Sequence, residues 1–186
     1  FKESSLRHGQ RAIRRMAKSE DSKMISIWYQ QFQPYGPGVS LEIDGAQFRI
    51  HFSETGNVYS VSNSFVERSS FENLAPTLSP VEALERAANF VSVSLESPAK
   101  ISKTNFDNGV EFQLTHNTFI RPADVSLICF PIRSNELRLA YKIVFQEKNS
   151  QYLYELLVDA VDGRVLVLRN HTHHFAPEQR GSYAHE

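Results

Sequence analysis

Over residues 137–146 the apolar side chains Leu137, Leu139, Tyr141, Ile143 and Phe145 alternate with Arg138, Ala140, Lys142, Val144 and Gln146. A period of two puts the first set on one face of an extended chain and spreads it around every side of a helix, so this segment reads as a strand with one buried face. Its partners are legible nearby. Residues 110–115, 125–132, 152–159 and 164–168 are rich in β-branched and aromatic residues, and Asp162-Gly163 joins the last two through a turn in which glycine adopts positive φ without steric cost.

The first half repeats the pattern. Residues 25–33, 39–43, 47–52 and 58–62 read as strands, with Phe48, Ile50 and Phe52 alternating against Gln47, Arg49 and His51. Pro34-Tyr35-Gly36-Pro37-Gly38 is expected to end the first of these, and Glu54-Thr55-Gly56-Asn57 to form a tight turn. Two helices are expected. In residues 4–19, Leu6, Ile13, Met16 and Ala17 recur at helical spacing, opposite a solvated face of Arg7, Arg11, Arg14, Arg15 and Lys18. The second opens at Ser79-Pro80-Val81-Glu82, where serine caps, proline suits the first turn and glutamate closes a capping box. Its apolar face of Val81, Leu84, Ala88 and Val91 predicts a helix to about residue 95, ahead of Pro98. Residues 67–78 are polar and aperiodic, a linker between two halves of similar plan.

This pattern predicts a β-rich α+β protein of two small lobes, each a helix against a curled antiparallel sheet. The divisions expected are 1–70, 71–170 and a polar tail at 171–186. At 186 residues and 41% hydrophobic content the chain can bury a core, and its net charge of -1 offers no field to gather nucleic acid or anionic membrane. No run of residues is long and apolar enough for a membrane span. The start at Phe1-Lys2-Glu3, without methionine or a signal-like stretch, reads as a fragment of a longer precursor.

No catalytic constellation is complete. The lone Cys129 sits in an apolar strand and reads as a small buried hydrophobe. The chain has no paired histidines four apart with glutamate between them, no nucleophile elbow and no phosphate-binding glycine loop. Asn170-His171-Thr172 fits a glycosylation sequon and Asn170-His171-Thr172-His173-His174 a histidine cluster, both past the last expected strand. The expectation is a chain that is not an enzyme and carries no cofactor or metal of its own. An active site assembled from dispersed residues is the reading against it.

At Tyr29-Gln30-Gln31-Phe32, with Gly36 and Val39 following, and at the turn and strand where Gly56, Val58 and Val61 fall in Gly-x-Val-x-x-Val spacing, the first half resembles the fungalysin/thermolysin propeptide domain. The second half, at Leu78-Ser79-Pro80-Val81-Glu82-Ala83-Leu84, at residues 137–144, and at residues 154–166 with Asp162-Gly163, is similar to a PepSY-type domain. The resemblance implies cystatin-like lobes in the pro-region of a secreted zinc metallopeptidase. Such a segment inhibits and helps to fold the catalytic domain that follows it in the same precursor, its partner in cis, and the zinc belongs to that domain. The polar segment 169–186 then reads as a cleavable tail, with His173, His174, Arg180, Tyr183 and His185 as processing or cleft-contact positions. The alternative is a stand-alone PepSY-like protein-binding module of the cell envelope.

Overall fold

The structure is a computed structural model that describes residues 11–18, for the backbone alone, and 25–66, 75–104, 110–133 and 136–171. Among them lie ten strands and one helix: β1 (Arg11–Lys18), β2 (Ile25–Gly36), β3 (Val39–Phe52), β4 (Val58–Asn63), α1 (Pro80–Phe90), β5 (Lys100–Thr104), β6 (Glu111–Thr115), β7 (Ala123–Arg133), β8 (Glu136–Gln146), β9 (Leu153–Asp159) and β10 (Val165–Asn170). The strands form one mixed sheet in the order β1-β2-β3-β7-β8-β9-β10, with β4 beside β3 and the β5–β6 hairpin beside β7. The pairings are antiparallel except for β3 with β7, which run parallel and meet at Ile43 and Cys129.

That junction overturns the expectation of two lobes. Leu41, Ile43, Ala46 and Val66 from the first half are buried in the same cluster as Leu84 and Ala88 of α1 and Leu139, Ile143, Phe145, Leu156 and Val158 of β8 and β9. Apolar groups that share one core gain more by staying together than by dividing into two small, surface-rich units. Cys129 lies at the seam, fully buried, and burial pushes its thiol up to about 12, the behaviour of an inert packing residue.

The expected helix over residues 4–19 is also corrected. Residues 11–18 are β1, paired with β2 from Arg11 opposite Phe32 to Lys18 opposite Ile25, and the rest of that range lies outside the described residues. A short helix draws most of its stability from packing, so a ready ladder along β2 outweighs a weak helical period. β2 also runs through Pro34, which pairs with Ser40 beyond Phe32, where the described part of β1 has ended. Proline lacks an N–H, and no described strand lies beside β2 at that point to need one; the break comes at Pro37 and Gly38 (φ +76°). β5 was not anticipated, because Lys-Ile-Ser-Lys-Thr is polar and almost wholly exposed.

The helix start agrees with its sequence. The Glu82 N–H donates to Ser79 Oγ at 3.3 Å, and the Ser79 N–H donates to Glu82 Oε2 at 2.8 Å. Ala83, Leu84, Ala87 and Ala88 are buried against the sheet, where α1 packs on β8, β9 and β10. Tyr141 of β8 donates its hydroxyl to the Leu78 carbonyl at 3.0 Å and so ties the helix entry to the sheet. The helix stops at Phe90, short of the expected residue 95. Ser92 adopts φ +62°, its N–H donates to Asn89 O, and the Val93 N–H reaches Ala88 O at 2.9 Å. This is a Schellman closure with serine in the left-handed position that glycine favours, which is why no stop signal was visible.

Replacing Ser92 with glycine removes the left-handed strain while keeping both closing bonds. Ser92→Gly is expected to raise unfolding stability by about 0.5–1 kcal/mol, measured by urea denaturation.

Candidate functional site

The middle of β3 is irregular. Gln30 pairs with Gln47 and Phe32 with Glu42, so residues 43–46 stand opposite Gln31 alone. Gly45, at φ +68°, supplies the left-handed backbone that this wide bulge needs. Freed carbonyls in a buried place need donors, and Gln30 provides them: its Nε2 donates to Ile43 O at 2.8 Å and Ala46 O at 3.2 Å. Gln31 is fully buried and behaves like a piece of strand. Its Oε1 accepts from the Val66 N–H at 2.8 Å and its Nε2 donates to Val66 O at 2.9 Å. The Ser64 hydroxyl adds a bond to Gly45 O at 2.7 Å, which stitches the chain leaving β4 across the bulge.

The bulge also puts Asp44 within reach of β10. Arg169 donates to Asp44 Oδ2 at 2.7 Å and to Glu155 Oε1 of β9 at 2.5 Å, while His171 Nε2 lies 3.1 Å from Glu155 Oε2. This bridge spans 125 positions of sequence. Burial alone would raise the Glu155 pKa, but the Arg169 bond, the nearby Lys142 charge and the His171 bond together outweigh it and hold the carboxyl below its ordinary value. The same two carboxylates push the Arg169 guanidinium up. Neither Asp44 nor Arg169 was singled out from sequence. Arg169 was placed in the tail, whereas it lies within β10.

Beyond the bulge, β3 and β4 project as a hairpin closed at Glu54–Asn57, where Gly56 has φ +81° and the Ser53 N–H donates to Asn57 O at 2.8 Å. Every residue of β4 is exposed, with Val58 at 59%, Tyr59 at 75% and Val61 at 56%. β4 pairs with β3 along one side, and no described strand pairs with its other side. It carries no charged residue and no proline.

The pattern residues do not converge. Gln31 is a core clamp. Gly36 and Val39 pair at the β2–β3 turn, at the opposite end of β3 from Gly56 and Val58. Asp162 and Gly163 form the β9–β10 turn: Asp162 accepts from the Arg164 N–H at 2.9 Å, and Gly163 (φ +76°) lies so close to α1 that an added Cβ would stand 2.7 Å from Arg86 Cδ. That turn is held by Asp159, wholly buried, which accepts from Arg138 at 2.9 Å and from the Val161 and Asp162 N–H groups at 2.8 and 3.0 Å. These positions build turns and core at separate places in the sheet. His173, His174, Arg180, Tyr183 and His185 lie outside the described residues, as does most of the expected linker.

No family model matches this chain, and no curated protein matches it. Among solved structures it is distantly similar to the Bacillus megaterium YpeB C-terminal domain, with a TM-score of 0.45 and 16% identity, over 83% of this chain and 55% of that one. The match thus takes in little more than half of that chain.

The bridge at Arg169 makes stability depend on acidity. A carboxyl with a lowered folded pKa adds stability above its unfolded value, near 4.5 for Glu155, and that stability is lost as pH falls through the folded value. Arg169→Met leaves two carboxylates facing each other. It is expected to cost about 2 kcal/mol at pH 7, below the figure for a fully buried pair because Arg169 is partly solvated. At pH 3–4 the cost should shrink as Glu155 protonates; guanidinium denaturation at both pH values checks it.

Proposed function

We propose that this chain is the non-catalytic pro-region of a secreted zinc metallopeptidase, acting as intramolecular inhibitor and folding aid for the catalytic domain that follows it. The observation that carries the reading is the open edge of β4. A strand whose outer N–H and C=O groups meet no described strand, with exposed valines and a tyrosine and neither charge nor proline, is the kind of edge that proteins normally protect. It becomes an asset when another chain pairs with it, since main-chain bonds then give affinity and the alternate side chains give specificity. In a precursor the catalytic domain is tethered beside it, so even a modest surface is engaged at high effective concentration. After cleavage that advantage is gone.

The stretch Gly56, Val58 and Val61 that carries the likeness to fungalysin/thermolysin propeptides is the same stretch that forms this hairpin and edge. The bulge and its glutamine clamp hold the hairpin base rigidly, which lowers the ordering cost of docking. The zinc and the hydrolytic groups belong to the partner. The tail that begins after β10 is the segment to be cut, in an extracellular setting.

The test is inhibition in trans. With the peptidase domain encoded downstream made separately, the chain is expected to bind at or below micromolar concentration and slow peptide hydrolysis. Tyr59→Lys combined with Val61→Lys should weaken inhibition at least about tenfold, with an unchanged circular dichroism spectrum. No binding at micromolar concentration would sink the reading. The absence of any peptidase domain from the same gene would turn it to a stand-alone envelope module.

A further inference from the structure

The two faces of the β2–β3 ladder differ. One carries Ile25, Ile27, Tyr29, Phe48, Ile50 and Phe52; the other carries Ser26 opposite His51, Trp28 opposite Arg49, and Gln30 opposite Gln47. On the polar face lies an open groove of about 450 Å³ lined by Ser26, Ile27, Trp28, Gln47, Arg49 and His51. That volume falls within the range of ligand clefts, roughly 300–1,000 Å³.

We propose that this groove is a binding site for an acidic peptide segment, with Arg49 receiving a carboxylate side chain over the indole of Trp28. Three observations carry it. First, the charge of Arg49 is neutralised by no carboxylate among the described residues: its Nε and Nη2 both donate to the neutral Gln47 Oε1, the first at 2.7 Å. In the three rows of the groove neither β2 nor β3 contributes an Asp or Glu.

Second, the guanidinium is held in place from below. The Gln30 amide nitrogen is committed to the bulge carbonyls, so its Oε1 must accept from Gln47 Nε2, at 2.9 Å. That leaves Gln47 Oε1 facing Arg49. Gln30 is 3% exposed, so the chain of amides starts from a buried anchor and its direction is set. The donors that remain, on Nη1 and the outer hydrogen of Nη2, form a fork that suits the planar, bidentate carboxylate.

Third, His51 lines the same groove two residues along β3 from Arg49. Ser26 Oγ lies 2.8 Å from His51 Nδ1. That leaves His51 Nε2 as the ring nitrogen not engaged with Ser26. Trp28 supplies a flat, half-buried wall for the aliphatic part of a peptide. Among the described residues that line the groove there is no lysine and no helix N-terminus, the features that would favour a phosphate or nucleic acid. The site lies on a face of the ladder, whereas the proposed inhibitory contact is the β4 edge, so neither depends on the other.

Trp28 is the sole tryptophan of the chain, so its emission reports directly on the groove. Titrating the full 186-residue chain with a blocked alternating Glu–Ala hexapeptide should give a saturable change in emission. The matched Gln–Ala peptide should bind at least about tenfold more weakly. Arg49→Gln, an exposed change that leaves the fold intact by circular dichroism, should erase the preference, and Arg49→Lys should restore part of it. Equal response to both peptides, an undiminished preference in Arg49→Gln, no response at millimolar peptide, or tighter binding of inorganic phosphate or single-stranded oligonucleotide than of the acidic peptide would each overturn the assignment.

Discussion

Residues 43–46 of β3 stand against the single residue Gln31, and the rest of the architecture depends on how that mismatch is absorbed. Carbonyls pulled out of a ladder and kept from water cost about 1–3 kcal/mol each if left unpaired. Two adjacent glutamines meet the need with opposite roles: Gln30 feeds donors to the bulge, and Gln31 pairs with Val66 in both directions, as a neighbouring strand would. Glutamine is suited to this because one neutral side chain carries both a donor and an acceptor on a long stem. Among the described residues no buried side-chain nitrogen or oxygen is left without a partner.

Three long-range features follow from the bulge. Ile43 is freed to pair with Cys129 and joins the two halves of the sheet. Asp44 reaches Arg169 on the last strand. The amide chain from Gln30 through Gln47 orients Arg49 on the same face of the ladder. Core junction, inter-half bridge and surface cation are thus coupled through one local irregularity, an economical way to align a surface with a fold.

Burial is distributed unevenly, and the distribution bears on function. On β9, Leu156, Leu157, Val158 and Asp159 are consecutively buried, because α1 covers one face and the cluster of Ile128, Ala140 and Leu157 occupies the other. The outer hairpin has no such cover, and all of β4 is exposed. Local opening costs least where few apolar contacts are lost, and β4, exposed along its whole length, has the fewest to lose.

Much of this was legible in the residues themselves. The alternation at 137–146, the capping box at Ser79 and Glu82, and the positive-φ glycines at 56 and 163 all report interactions within a few residues, where spacing alone dictates geometry. The strands flanking the bulge were read as separate, which located the interruption without its purpose. What the tertiary structure alone decided concerns partners distant in sequence: that residues 11–18 pair with β2 instead of coiling, that both halves share one sheet through Ile43 and Cys129, and that Asp44 meets Arg169. The physical reason is that backbone bonds and charges choose whichever partner is nearest in space. Local periodicity carries no information about who that partner will be.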